Sequence, residues 1–191
     1  MKPKIHLIIV HPRKDSFNYG LYSAAEQYLQ KARFNTVTSD LYDMHKNHHP
    51  AIKPYGDPLF KNNHTKIKQE QTKIKSSQIT LIQFPLYWCS IPGLLKNYID
   101  TVWESKFDFG CGRNVMLSIT TLGKKEDFNR HSLLGTIEKI TYPTELAFKS
   151  VGYTILPHYI AYGVTEKSPE ALEKTKHSFV KHLAKNLKDF I

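Results

Sequence analysis

The chain has 191 residues, of which 40% are hydrophobic and 23% are charged; this is typical of a soluble globular protein with one domain over residues 1–191. Its net charge of +10 suits anionic partners, but the basic residues are spread along the chain, so we expect no nucleic-acid partner. No apolar run approaches the ~20 residues that span a bilayer, and no signal-peptide pattern is present, so we expect a cytoplasmic protein.

The hydrophobic pattern alternates between strand and helix along the whole chain. It predicts strands at residues 5–10, 36–39, 79–84 and 115–120, and a fifth strand within residues 153–162. It predicts helices over residues 17–32, 66–76, 92–103 and 133–151, and a last helix that begins at the Ser168 cap and runs to about residue 187. Pro143 would either open a new helix inside 133–151 or bend that helix. Residues 40–63, rich in Pro, Asn, His and Asp, are predicted to be a long surface excursion.

Five strands alternating with helices predict an α/β fold, a doubly wound parallel sheet with helices on both faces. The crossovers should be right-handed, and five such units suit the flavodoxin-like strand order 2-1-3-4-5. In that order strands 1, 3 and 4 are neighbours, so their carboxyl ends lie side by side. The loops that follow them should form one surface, at the edge where such sheets bind ligands.

The loop after strand 1 is suited to binding phosphate. Ser16 is the expected N-cap of the following helix, whose first amides attract anions through unpaired N–H groups and the helix dipole. His11 and Arg13 can add hydrogen bonds or charge. Neither a Walker loop nor a G-x-G-x-x-G sequence is present, and an ordinary capped helix start is the alternative interpretation.

The loop after strand 3, residues 85–91, carries three large apolar side chains, Leu86, Tyr87 and Trp88. Loops normally avoid exposing a Trp beside a Tyr. Either a flat apolar ligand therefore covers this loop, or Trp88 packs under a neighbouring loop.

The loop after strand 4 is polar. Thr120, Thr121 and Gly123 offer two hydroxyl groups and exposed amides, which suit hydrogen bonds to carbonyl groups on the edge of a ring, although a plain turn is the alternative. A phosphate site, an aromatic platform and a polar rim at one sheet edge together predict a flavin nucleotide site.

The other reactive side chains form no recognisable site. Cys89 and Cys111 are too few for a disulfide framework and are expected to be free thiols. Metal ligands are conceivable in the His-rich residues 47–50, but no ligand pair lies at ordered helical spacing, so a solvated loop and no metal are expected. The basic cluster at residues 66–75 fits a solvated helix face.

Six short motifs, spread over nearly the whole chain, resemble one protein family. They read H-P-R-K-D-S-F-N-Y at residues 11–19, S-D-L-Y-D-M at 39–44, E-Q at 70–71, Q-F-P-L-Y-W at 83–88, I-P-G-L-L-K-N-Y-I-D at 91–100 and S-I-T-T at 118–121. Together they are similar to the NAD(P)H:quinone oxidoreductase family of flavodoxin-like flavoproteins, which also contains ancillary subunits of bacterial glutathione-gated potassium efflux systems.

The resemblance implies a homodimer that contains FAD, with FMN as the alternative. It implies that NADH or NADPH reduces the flavin and that a quinone or nitro compound is then reduced in the same site, with ping-pong kinetics. The residues implied to contact the flavin are His11, Ser16, Phe17 and Asn18 at the phosphates and ribityl chain; Gln71 at the adenine of FAD; Pro85, Leu86, Tyr87, Trp88 and Cys89 along the ring; and Thr120, Thr121 and Gly123 at its pyrimidine edge.

Three departures from the family pattern affect the expected chemistry. Relatives commonly have two glycines after T-T, and Leu122 at the first of these positions would narrow the approach to the ring or displace its loop. The best-studied quinone reductases have a tyrosine where this chain has Phe128, which cannot donate a proton. His131 is the candidate catalytic substitute, with a helix cap as its alternative role. Residues 107–114 are shorter than in many relatives, and Cys111 there is either an exposed thiol or a small buried residue.

Two other functions fit the same fold. The chain could be a regulatory subunit of a potassium/proton antiporter, a membrane transporter partner, with secondary or no reductase activity. It could also be an electron carrier of the flavodoxin type, but flavodoxins are usually acidic, which disfavours this function for a chain of net charge +10. Lys124 and Lys125 could meet the 2′-phosphate of NADPH or be solvated, so the choice between NADH and NADPH stays open.

Overall fold

The computed structural model describes residues 3–47, 49, 64–103 and 110–190. Within these ranges one parallel sheet is formed by β1 Lys4–Ile9, β2 Asn35–Asp40, β3 Ile79–Pro85, β4 Asn114–Thr120, β5 Thr154–Ile155 and β6 Tyr159–Ala161. The strand order is β2-β1-β3-β4-β5, and β6 pairs with the carboxyl-terminal half of β4. The predicted parallel sheet and its order 2-1-3-4-5 are confirmed.

The helices in the described ranges cover both faces of the sheet. They are α1 Phe17–Lys31, α2 Leu41–Lys46, α3 His64–Ser76, α4 Gly93–Val102, α5 Ile137–Ser150 and α6 Pro169–Leu187. α1 and α6 pack against one face in an apolar cluster that includes Leu21 and Phe179. The other helices pack against the opposite face in a cluster that includes Leu95 and Phe148. None of the helices described here is both long and apolar enough to cross a bilayer.

The predicted fifth strand is split into β5 and β6. Leu156 N–H still donates to Val115 O at 2.8 Å, but Pro157 follows and has no N–H to continue the ladder. The side chain of His158 takes over at this gap, because its Nδ1 accepts the N–H of Leu117 at 3.3 Å. Burial lowers the pKa of His158, which favours the neutral ring that can accept this bond.

The predicted extents of one helix and of one loop were wrong. Residues 133–136 are not helical, because the chain turns through Gly135, with φ of +70°, before α5 begins at its Thr136 N-cap. Pro143 does not open a new helix, since it lies inside α5, so the alternative that it bends this helix stays a prediction. The first part of the predicted excursion over 40–63 forms α2, capped by the Asp40 carboxylate, while residues 48 and 50–63 lie outside the described ranges.

A buried polar network fixes α3 to the sheet and to α4. Glu70 lies at its centre: Ser39 and Tyr98 donate their hydroxyls to Glu70 Oε2 at 2.6 and 3.0 Å, and Lys73 Nζ donates to Oε1 at 2.6 Å. His6 joins the network through Nε2, 2.9 Å from Ser39 Oγ, and its side chain is fully buried. Burial lowers the pKa of His6 to about 4, so the folded protein holds this ring neutral.

We predict that His6 makes the protein less stable in mild acid. The unfolded chain takes up a proton at His6 below pH of about 6.5, whereas the folded chain does so only near about 4. Stability is therefore complete above about 6.5 and falls as the pH drops towards about 4, by roughly 3 kcal/mol for this group. Urea unfolding at several pH values between these limits measures the decline.

The control variant is His6→Gln, which keeps an N–H donor for Ser39 and cannot be protonated in this range. Its free energy of unfolding should decline less over the same pH interval, whatever its absolute stability. Equal declines in the two proteins would contradict the role assigned to His6.

Candidate active site

The loops after β1, β3 and β4 all begin at the carboxyl edge of the sheet, at neighbouring positions in the strand register. Val10 N–H donates to Gln83 O at 2.9 Å, and Leu86 N–H donates to Thr120 O at 2.8 Å. Thr121 N–H donates in turn to Ala161 O at 3.0 Å. The structure therefore brings together the three loops whose convergence the strand order predicts.

The loop after β1 ends in a capped helix. Ser16 is buried and is the N-cap of α1, where its Oγ accepts the N–H of Tyr19 at 3.4 Å. His11 is half-buried, and its Nδ1 accepts the N–H of Arg13 at 3.1 Å. Burial lowers the pKa of His11, so at neutral pH the ring is an uncharged hydrogen-bonding group beside the start of the helix.

Lys14 fastens this loop to β2 and α2. Its Nζ donates to Asp43 Oδ2 at 2.6 Å and also bonds Asp40, which accepts the hydroxyl of Tyr19 as well. Although burial opposes it, these bonds hold the pKa of Asp40 below its usual value. The charge of Lys14 is thus neutralised within the protein. None of these four residues was expected in the site from the sequence, although Asp40 and Asp43 lie in the S-D-L-Y-D-M motif.

The loop after β3 contains a tight turn that displays Trp88. Tyr87 and Ser90 exchange two backbone hydrogen bonds at 3.0 and 2.9 Å, and the two residues between them, Trp88 and Cys89, have φ of 48° and 55°. Such left-handed conformations are unusual for residues other than glycine. The side chain of Trp88 is 101% exposed, which contradicts the interpretation that it packs under a neighbouring loop. Pro85 is buried at the root of the loop and Leu86 is half-buried.

Backbone amides at the tips of the loops after β3 and β4 have no acceptor in the described part of the chain. Among the described residues, no group accepts the N–H of Trp88 or Cys89 in one loop, or of Leu122 or Gly123 in the other. Backbone N–H groups need acceptors when water is excluded from them. The edge therefore offers an exposed aromatic surface together with hydrogen-bond donors on two adjacent loops.

The loop after β4 is held by its own side chains and by β6. The buried Thr121 donates its hydroxyl to Gly123 O at 2.7 Å, and Gly163 N–H donates to the same carbonyl at 2.8 Å. A Cβ at Gly123 would lie 3.0 Å from the ring of Phe128, so a larger residue there would press on that ring. Leu122 is exposed and does not detach the loop from the sheet.

Asn18 and Gln71 turn away from solvent. Asn18 is buried, and its amide bonds the side chains of Gln83 and Thr120. Gln71 is also buried and donates Nε2–H to Val102 O at 3.1 Å. Since α4 runs away from the loop edge and ends at Val102, the structure does not bring Gln71 to the other predicted site residues.

His131 lies in an exposed turn after Phe128, where its backbone N–H donates to Asn129 Oδ1 at 2.8 Å. Phe128 packs against Tyr162 with their ring centroids 5.5 Å apart. Cys89 and Cys111 are both exposed free thiols, which decides the alternatives left open for Cys111. Most of the His-rich residues 47–50 lie in or beside the undescribed part of the chain, and no group of three metal-ligating side chains occurs in the described part.

Comparison with known proteins agrees with this architecture. The flavodoxin-like fold family model matches residues 3–183. The chain belongs to this family. It is 26% identical to rat NAD(P)H dehydrogenase [quinone] 1 over 93% of this chain and 75% of the rat protein, which confirms the predicted resemblance to NAD(P)H:quinone oxidoreductases.

Two solved structures have the same fold over almost their full length. The NAD(P)H:quinone oxidoreductase from Methanothermobacter marburgensis has a TM-score of 0.76 and 17% identity, with 99% of this chain and 98% of that chain covered. General stress protein 14 from Treponema denticola, solved in complex with FMN, has a TM-score of 0.75 and 21% identity, with 99% and 100% covered.

We predict that Trp88→Ala weakens flavin binding without affecting stability. Stacking on an aromatic side chain contributes roughly 1–3 kcal/mol, so the Kd for flavin should rise about tenfold or more. A fully exposed side chain contributes no buried area, and the free energy of unfolding of the flavin-free protein should change by less than about 0.5 kcal/mol. Trp88→Phe keeps a ring and should bind with intermediate affinity. If Trp88→Ala binds flavin with wild-type affinity, the flavin ring does not stack on Trp88.

We predict that Thr121→Val alters the flavin edge of the site. The substitution removes the hydroxyl that donates to Gly123 O and should loosen the free amides at 122 and 123, with flavin affinity falling roughly fivefold and the midpoint potential of the bound flavin shifting. Thr121→Ser keeps the hydroxyl and is the matched control. If Val and Ser variants have the same potential and affinity as the wild type, the contact has no part in the site.

Proposed function

We propose that this protein is a flavin-dependent NAD(P)H:quinone oxidoreductase that also accepts nitro compounds, with FAD as its cofactor and FMN as the alternative. The observation that carries the proposal is the exposed, left-handed Trp88 turn with free amides, next to a second loop with free amides. The quinone reductase names of the relatives and the FMN of the Treponema protein support the same chemistry.

Different described residues are suited to bind different parts of such a cofactor. The N-terminal amides of α1, next to Ser16 and Phe17, suit its phosphates, and the neutral His11 can add a hydrogen bond. Trp88 and Tyr87 offer apolar faces to the ring, while the amides of residues 122 and 123 suit the carbonyl oxygens at its edge. The flavin itself, when bound, supplies the hydride-accepting and hydride-donating chemistry.

Proton supply in this site must differ from that of relatives with tyrosine at the position of Phe128. The phenyl ring has no donor, and its packing on Tyr162 fills the space beside Gly123. His131 is exposed three residues further on, so it can exchange protons directly with solvent. We propose His131, or water admitted at this open rim, as the proton source for the reduced acceptor.

The proposed enzyme is a cytoplasmic homodimer in which electron donor and acceptor take turns over one open face, so its kinetics should be ping-pong. Tyr142 and Leu146 support the dimer, because both are large apolar side chains exposed on α5. Lys124 is ion-paired with Glu166 at 2.8 Å; it must exchange this partner before it can bind a 2′-phosphate.

The deciding experiment is a visible spectrum of the protein purified without added cofactor, followed by anaerobic addition of NADH or NADPH. We expect a band near ~450 nm that bleaches with either nucleotide and recovers when a quinone is added. The mass of the released flavin separates FAD from FMN, and parallel double-reciprocal plots identify ping-pong kinetics. A colourless protein that takes up neither flavin would contradict the proposal and favour a role as an interaction protein.

A further inference from the structure

Three buried side chains form a hydrogen-bonded chain beneath the loops of the site. Gln83 donates Nε2–H to Asn18 Oδ1 at 2.7 Å, and Asn18 donates Nδ2–H to Thr120 Oγ1 at 2.8 Å. Their exposed fractions are 2%, 4% and 2%, respectively. They belong to β3, α1 and β4, which are the elements that lead into or out of all three loops.

These hydrogen bonds turn the side chain of Asn18 towards the interior of the protein. Both ends of its amide are used inside the protein, at the distances of strong hydrogen bonds. A side chain so engaged is not directed at a phosphate group outside α1. The place of Asn18 next to the helix start therefore calls for another role.

The same hydrogen bonds determine whether the Thr120 hydroxyl can donate or accept a further hydrogen bond. A hydroxyl has one proton to donate and two lone pairs that accept. Asn18 fills one lone pair of Thr120 Oγ1, and no group among the described residues accepts the hydroxyl proton. That proton is left for an acceptor at the carboxyl edge, where Thr120 is the last residue of β4.

We infer that Gln83 and Asn18 are positioning residues that fix Thr120 Oγ1 as a hydrogen-bond donor to the flavin at the loop edge. The inference rests on the proposed function, since it supposes a flavin there. The two amides therefore act on the flavin ring through the hydroxyl of Thr120.

A neighbouring residue shows that burial alone does not require such a partner. Ser118 lies on the same face of β4, two residues before Thr120, and is fully buried. Its Oγ has no hydrogen-bond partner among the described residues. The fold therefore tolerates an unpaired hydroxyl at Ser118. At Thr120, next to the site, the hydroxyl is instead bonded by Asn18, which is bonded in turn by Gln83.

The test is a double-mutant cycle on Asn18→Leu and Thr120→Val, read out as the Kd for flavin added to the flavin-free protein and as the midpoint potential of the bound flavin. Each single variant should bind flavin roughly five- to tenfold more weakly. If Asn18 acts through Thr120, the double variant should bind no more weakly than the weaker single variant. Losses that multiply, with an unchanged potential, would overturn the inference.

A second variant reverses the polarity of the chain. The carboxylate of Asn18→Asp only accepts, so it should draw the Thr120 hydroxyl proton inward, weaken flavin binding and lower the potential of the bound flavin. Ser118→Ala, its matched control, should change neither quantity. If Asn18→Leu does not fold, Gln83→Met, which keeps the volume but removes the donor, takes its place in the cycle.

The outcomes separate this inference from the proposed function. A wild-type protein that binds flavin while the cycle is additive retains the proposed function and loses the positioning role. A wild-type protein that binds neither FAD nor FMN overturns both. In that case urea unfolding of the same four proteins should still show coupling between 18 and 120, as expected of a purely structural chain.

Discussion

The candidate site depends on the parallel register of β1, β3 and β4. Because β3 is buried along its whole length between its two neighbours, its position is fixed by packing on both faces of the sheet. The bonds from Val10 to Gln83 and from Leu86 to Thr120 carry that register to the ends of the strands. A shift of one residue in β3 would turn Gln83 to the opposite face of the sheet, and with it the exposed loop that follows. The loops can therefore be short and irregular without losing their relative positions.

Polar side chains fasten the roots of these loops, while the tips stay free. On the loop after β1, the side chain of Lys14 is bound to Asp40 of β2 and Asp43 of α2. On the loop after β4, the hydroxyl of Thr121 donates to Gly123 O. The Lys14 pairs are partly exposed and contribute little free energy, whereas the buried hydroxyl of Thr121 would cost about 1–3 kcal/mol without its acceptor. At the tips the amides next to Trp88 and Gly123 have no such partners in the described structure. The loops are therefore held rigidly at their bases, while hydrogen-bond donors at their tips stay unsatisfied. This is what a site that is preorganised for its ligand requires.

The sequence predicts the parts of this arrangement that depend on local pattern. The apolar run of β3 and the Ser168 cap of α6 lie where expected, because hydrophobic periodicity and capping are read directly from neighbouring residues. Pro157 marks the split between β5 and β6 in the sequence, because it has no N–H for the ladder. The ring of His158 that bridges this gap to the backbone of β4 could not be predicted in the same way, since it depends on a tertiary contact. The inward direction of Asn18 has a similar cause. An asparagine two residues after an N-cap suggests a free polar group, and only the distant Gln83 and Thr120 show that it is used internally.

The turn at Trp88 and Cys89 has no explanation in the stability of the fold. Left-handed backbone at residues other than glycine costs about 1–2 kcal/mol each, and glycine at either position would remove that cost. Exposing the whole indole adds no buried apolar area. The turn is nevertheless closed by two hydrogen bonds between Tyr87 and Ser90 and anchored below by the buried Pro85. A conformation that is strained, firmly held and useless to the core is best explained by what it presents outward. What it presents is a flat ring beside two free amides, and both become favourable only when an apolar, hydrogen-bond-accepting ring covers them.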